Sequence, residues 1–222
     1  MSVMGNGEDV RSMPLRSFVD PVAVKVIVRL NREIMSNLTK LIPEIAHDDT
    51  FAFCSYTKPI EAVEKSLSLY VLPNSVFTLA YAKLLNCSNI ECKVVKYNDL
   101  DTEGKFRILK QLYTSYVTLS FRILDIYDEY LPIDEVSKLY GEAWYWVCVL
   151  YFQMRDLGIP RYRIEKEVGM VGWYERVLNK LYEVSRNNRE VLENVLKQLL
   201  SGRVHNERTF VRFIKEVVSQ YA

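Results

Sequence analysis

A chain of 222 residues can bury a substantial core, as one large domain or two small ones. With 49% hydrophobic and 26% charged residues it is not intrinsically disordered. A net charge of +1 argues against a protein built wholly around nucleic acid, and eight glycines and seven prolines are too few for the turns of an all-β fold.

Residues 1–19 carry Gly5, Gly7, Pro14 and scattered charges, and read as a loose arm without the apolar stretch of a leader peptide. Asp20-Pro21 reads as a helix start, because Asp caps orphan amides and Pro is tolerated at the first helical position. Val24, Ile27, Val28, Ile34, Met35, Leu38 and Leu41 then recur at helical spacing as far as Pro43. "FAFCSY" (51–56) and "IECKVVKY" (90–97) are aromatic or β-branched and short, which predicts two strands. "PIEAVEKSLSLYVL" and "SVFTLAYAKLL", split by Pro73-Asn74, read as two helices between them. From Phe106 to Leu131 apolar residues return every three or four positions, and Pro132 interrupts the pattern. A second long helix ends at Gly158, well placed as a left-handed C-terminal residue, and the short connection predicts an antiparallel hairpin. "AWYWVCVLYF" (143–152) is half the length a bilayer requires, so it reads as a helix buried on all sides rather than a membrane span. Asn187 with Glu190 forms an N-x-x-E capping signal for the next helix, and Asn206 opens the last. The expected fold is therefore mainly α, a multi-helix bundle with a small two-stranded element near 51–56 and 90–97. Residues 20–222 would form a single helical domain, with a sub-boundary near Gly158.

Chemistry-bearing residues are sparse. His47-Asp48 resembles the metal pair of metal-dependent phosphohydrolases, but a chain with two histidines lacks the remaining ligands. Asp125, Asp128 and Glu129 share one helix face and read as a solvated acidic surface rather than a cation site. Cys54, Cys87, Cys92 and Cys148 have no paired metal spacing and no histidine neighbour, so they read as buried structural thiols in a reducing interior. Trp144, Tyr145, Trp146, Tyr151 and Phe152 could stack bases or cap a ligand pocket, but read first as core. There is no Gly-rich phosphate loop and no nucleophile elbow. No catalytic residue, metal or cofactor is expected. Four glutamines among abundant Lys, Arg and Glu match the bias of heat-adapted proteins.

Charge is uneven. Arg155 to Ala222 holds 13 Lys and Arg against 9 Asp and Glu (+4), which leaves −3 for residues 1–154. Within the basic part lies "LGIPRYRIEKEVGMVGW" (157–173). Pro160 can open a short helix, Gly169 can take the positive φ of a tight turn, and Gly172 to Val184 can form a second helix. Ile164, Val168, Met170 and Leu178 fall where two such helices would touch. Over roughly residues 161–180 this resembles the general helix-turn-helix motif of DNA-binding proteins. Glu165 and Glu175 stand where such motifs carry a small residue and an inward apolar one, so each carboxylate requires a partner or solvent. The resemblance implies that Arg161, Arg163 and Lys166 approach phosphates. Trp173, Tyr174, Arg176, Asn179 and Lys180 would then lie at the groove, with Arg suited to guanine and Asn to adenine.

The expectation is a non-enzymatic, cytoplasmic DNA-binding or nucleoprotein-complex subunit that meets double-stranded DNA through the basic helices from Arg161 to Arg212. Its rival is a helical adaptor that binds a protein partner, or a second copy of itself, through an apolar helix face. Cations clustered on one face would favour the first, and an exposed apolar patch the second.

Overall fold

The computed structural model describes residues 9–19, 24, 25, 28, 59–66, 68–127, 133–168, 173–204 and 206–221. The expected helix over 20–41 therefore falls largely outside the described residues, and the strand at 51–56, His47-Asp48 and Pro132 fall wholly outside them. The chain divides into two compact units, Met1–Lys105 and Phe106–Ala222. The division falls at residue 105, and not near Gly158.

The first unit is built on a sheet of five strands: β1 (Asp9–Pro14), β2 (Phe18–Val19), β3 (Ile60–Lys65), β4 (Ser68–Val71) and β5 (Asn89–Lys96), in the order β1-β5-β3-β4-β2. It is a mixed sheet, with β1–β5 and β3–β4 antiparallel and β3–β5 and β2–β4 parallel. The expected strand near 90–97 is β5, but the sheet is larger than two strands. Two expectations are corrected by it.

Residues 9–19, expected as a loose arm, supply both edge strands, and Met13 pairs with Ile90 while Phe18 pairs with Leu69. Residues 60–71, expected as a helix, form the β3–β4 hairpin. Ala, Glu and Lys favour helix locally, but Leu69 and Val71 alternate with Ser68 and Tyr70, and this period of two matches a pleated, half-buried surface. Ser66 takes φ 51° at the turn. Pairing with β5 then fixes the register, Ile60 opposite Cys92 and Ala62 opposite Val94.

Pro73–Ser75 forms a single 3-10 turn, held to β3 by a Glu61 amide that donates to Ser75 Oγ (2.9 Å). It leads into α1 (Val76–Leu84), the helix expected after Pro73-Asn74. Leu79, Ala80 and Ala82 of α1 share one apolar core with Leu15, Phe18, Ile60, Ala62, Leu69, Val71, Ile90 and Cys92. Register and core agree: alternate residues of β3, β4 and β5 turn to the same interior, joined by Met13 of β1 and Phe18 of β2.

The second unit is helical: most of α2 (Thr102–Tyr127), then α3 (Ile133–Asp156), α4 (Arg161–Val168), α5 (Trp173–Asn187), α6 (Arg189–Leu200) and α7 (Glu207–Tyr221). Asp101 Oδ1 accepts from the Gly104 amide (2.7 Å) and caps α2. Stacked Tyr116–Trp146 and tilted Tyr113–Tyr151 pair α2 with α3 in opposite chain order, the antiparallel hairpin expected from the sequence. Gly158, at φ 81°, closes α3, its amide donating to Arg155 and that of Ile159 to Met154. The cap of α6 is Asn188, whose Oδ1 accepts from Glu190, not Asn187, which is the last residue of α5. Asn206 opens α7 reciprocally, Asn206 Oδ1 accepting from the Thr209 amide (2.9 Å) and Thr209 Oγ1 from the Asn206 amide (3.1 Å).

Trp144, Tyr151 and Phe152 of the aromatic run on α3 are core, whereas Tyr145 and Trp146 are half-buried, so the helix is not buried on all sides as expected. Trp144 and Tyr151 are fully buried, and Trp144 stacks on Phe210 of α7 with centroids 4.0 Å apart. α3 also packs on α6, and the crossing lies at Gly141, where an added Cβ would stand 2.0 Å from the Leu199 carbonyl oxygen. Among the described residues no helix is long and apolar enough to cross a membrane. The structure is mainly α, as expected.

Candidate functional site

α4 and α5 occupy the residues of the helix-turn-helix resemblance, while Gly169 to Gly172, which would form its turn, lie outside the described residues. Ile164 and Leu178 are fully buried, as the inner contacts of two packed helices should be. The Glu165 carboxylate, which required a partner, has one: Arg161, one turn earlier on α4. The Glu175, Trp173 and Tyr174 side chains lie outside the described residues.

The expected phosphate-binding residues separate into two groups. Arg163 is engaged in holding the fold. Its Nε donates to Glu167 (2.8 Å) and its guanidinium lies 4.7 Å from the centre of the Phe106 ring. Glu167 also accepts from Lys110 Nζ of α2 (2.8 Å), so one carboxylate ties α4 to α2. The hydrogen bond from Lys110, then that from Arg163, holds the Glu167 carboxyl below its ordinary range. Lys166 is exposed beside this network.

Arg161, Arg176, Asn179 and Lys180 form the second group, converging on a cleft of about 860 Å³ between α5 and α7. Helical geometry explains the convergence. Arg176, Asn179 and Lys180 stand three and four residues apart and so share one face of α5. Val177 and Leu181 anchor that helix to the interior. α7 supplies the opposite wall through Val211, Ile214, Lys215, Val218 and Ser219, which the sequence reading did not include. Their signal was the spacing of Val211, Ile214 and Val218, three and seven residues apart, with Lys215 beside Ile214.

The cleft has a cationic rim and an apolar floor. Arg176, Lys180 and Lys215 are exposed at the rim, with Arg161 half-buried against Glu165. Val177, Val211, Ile214 and Val218 make the floor, and no acidic or aromatic side chain is among the described lining residues. Asn179 is half-buried, and its Oδ1 accepts a long bond (3.5 Å) from the Tyr151 hydroxyl. Its carbonyl is thus occupied by the α3 side, and bidentate adenine readout would require that bond to be released.

Burial pushes the Cys92 and Cys148 thiols up to about 12, which keeps them protonated and unreactive. Cys87, expected as a buried thiol, is disulfide-bonded, with its partner outside the described residues. No group of three or more His, Cys, Asp or Glu side chains suited to a metal occurs among the described residues. Comparison with protein-family models, with curated proteins and with solved structures finds no match.

Proposed function

We propose that this chain is a non-enzymatic, cytoplasmic subunit that binds nucleic acid, contacting the phosphates of duplex DNA through its basic C-terminal helices. One observation carries the reading: the exposed Arg176, Lys180 and Lys215 border a single cleft, joined by Arg161, which also pairs with Glu165. Cations gathered in one concavity reinforce one another and attract a polyanion. The disulfide at Cys87 does not exclude a cytoplasmic setting, since intracellular proteins of heat-adapted organisms carry such bonds. The test is fluorescence anisotropy of a labelled mixed-sequence duplex at about 50 and about 200 mM salt. Three or four phosphate contacts predict a loss of roughly 40- to 150-fold across that range. Lys180→Ala with Lys215→Ala should weaken binding and flatten the salt slope by about two ions' worth. Absence of binding at the lower salt overturns the reading.

A second reading has its own observation. Val211 and Val218 on the α7 wall are only half-buried, and this apolar surface offers nothing to a phosphate but suits a protein partner, as an adaptor requires.

A further inference from the structure

One turn beyond the cationic cleft, the same two helices border a second, smaller hollow. On α5 the step from Lys180 to Val184 is four residues, and on α7 that from Val218 to Tyr221 is three, so the hollow continues the line of the cleft. It measures about 300 Å³ and is lined by Glu183, Val184, Asn187, Asn188 and Tyr221. Its chemistry differs from that of its neighbour. The cleft bears Arg176, Lys180 and Lys215, all exposed, whereas the hollow bears two amides, one carboxylate and an exposed aromatic ring.

These two sets match the two parts of a nucleotide. Lys180 and Lys215, exposed on facing walls of the cleft, suit the phosphates of one strand. An aromatic ring beside such a groove takes the flat face of a base, as in sites that hold single strands. Tyr221 is 47% exposed, so its ring is open to such a contact. At the edge of the hollow Asn187 is exposed and offers both donors and an acceptor, while Asn188 Oδ1 is committed to the Glu190 amide. Glu183 Oε1 accepts from Arg155 (3.4 Å), which offsets its charge, and the other carboxylate oxygen can take an exocyclic amino group. A base within a duplex is stacked on both faces and paired along its edge, so only an unpaired base can enter. Along α5, Lys180 and Asn187 stand about 10 Å apart, a span that about three stacked nucleotides cover.

We infer that the α5–α7 groove binds single-stranded nucleic acid, with phosphates at Lys180 and Lys215 in the cleft and an unpaired base stacked on Tyr221 in the hollow. The inference rests on the nucleic-acid reading of the cleft and names the form of the polymer, a single strand in preference to a duplex.

Labelled oligonucleotides of about 15 nucleotides provide the test, each titrated by anisotropy with the full chain at about 50 mM salt. One is an unpaired mixed-sequence strand, made with deoxyribose and with ribose; one is its duplex; one is an abasic strand of the same length. The expected result is that a single strand of either sugar binds at least about tenfold more tightly than the duplex or the abasic strand. Tyr221→Ala should weaken single-strand binding roughly 5- to 150-fold, the worth of one stacked base, and leave duplex binding unchanged. Tyr221→Phe keeps the ring and should stay within about twofold of the parent. Lys180→Ala with Lys215→Ala should weaken strand and duplex alike. Tyr221 is exposed at the end of α7, and circular dichroism checks that its variants remain folded. Duplex binding as tight as that of the strand, equal binding of the abasic strand, or a Tyr221→Ala protein that holds the strand as well as the parent overturns the inference and leaves the phosphate reading of the cleft in place. If neither strand nor duplex binds, both fail.

Discussion

Gly141→Ala should destabilise the helical unit, although the same change in most helix interiors stabilises by roughly 0.5–1 kcal/mol. Gly141 lies inside α3, and the Cβ of alanine would stand 2.0 Å from the Leu199 carbonyl oxygen and 3.1 Å from its carbon. Ordinary contact begins at 3.4 Å, so α3 and α6 must open by about 1.4 Å at the crossing. The obstructing atoms are backbone, and no side-chain rotation relieves them. Opening of that size loosens the contacts of the fully buried side chains nearby, among them Tyr140, Ala143, Val195 and Leu199. Overpacking of this kind costs about 1–3 kcal/mol, which on average outweighs the propensity gain and leaves a net loss of roughly 1 kcal/mol. For a chain of this length that corresponds to a Tm lower by roughly 2–4 °C. All three tryptophans (Trp144, Trp146 and Trp173) belong to the second unit, so tryptophan fluorescence follows its unfolding selectively. A Gly141→Ala protein that melts at or above the parent temperature would refute the close α3–α6 approach and the argument built on it.

Two further outcomes are expected. Thiol titration in denaturant should count two free cysteines before reduction and four after, because Cys92 and Cys148 are free and Cys87 is disulfide-bonded. Native protein at pH 8 should leave Cys92 and Cys148 unlabelled, since both thiols are pushed up to about 12; four thiols without reductant, or rapid native labelling, would contradict this. Glu167→Gln should lower stability by under about 1 kcal/mol at pH 7, because the ion pairs to Lys110 and Arg163 are partly solvent-screened. The folded-state pKa of Glu167 is lowered, so its contribution is present above the ordinary carboxylate range and is lost as pH falls through the lowered value. Denaturant midpoints should therefore differ at pH 7 and converge in acid, and a difference independent of pH would rule out the ionic origin.

Much of the helical unit was legible in the sequence, because its signals are local. Apolar spacing of three and four marked α2 and α3, Gly158 marked the end of α3 by its freedom at positive φ, and Asn206 marked the start of α7 by its side-chain oxygen. The convergence of Arg176, Asn179 and Lys180 followed from helical periodicity once α5 was recognised. What the tertiary structure alone decided depends on partners distant in the chain. Glu61 to Lys65 favour helix by composition and became a strand because β5, some thirty residues later, offers a register that buries Ile60 and Ala62. Residues 9–19 carry too little periodicity to declare themselves, and they are strands because the sheet has edges that they complete. Arg163 and Arg161 are alike in sequence, yet Arg163 is held by Glu167 and Phe106 while Arg161 lines the cleft. The second wall of that cleft belongs to α7, more than thirty residues beyond α5's cations, and Lys215 joins them only because the helices pack. Local pattern determined the helices of the second unit; packing between distant segments determined the sheet and the composition of the cleft.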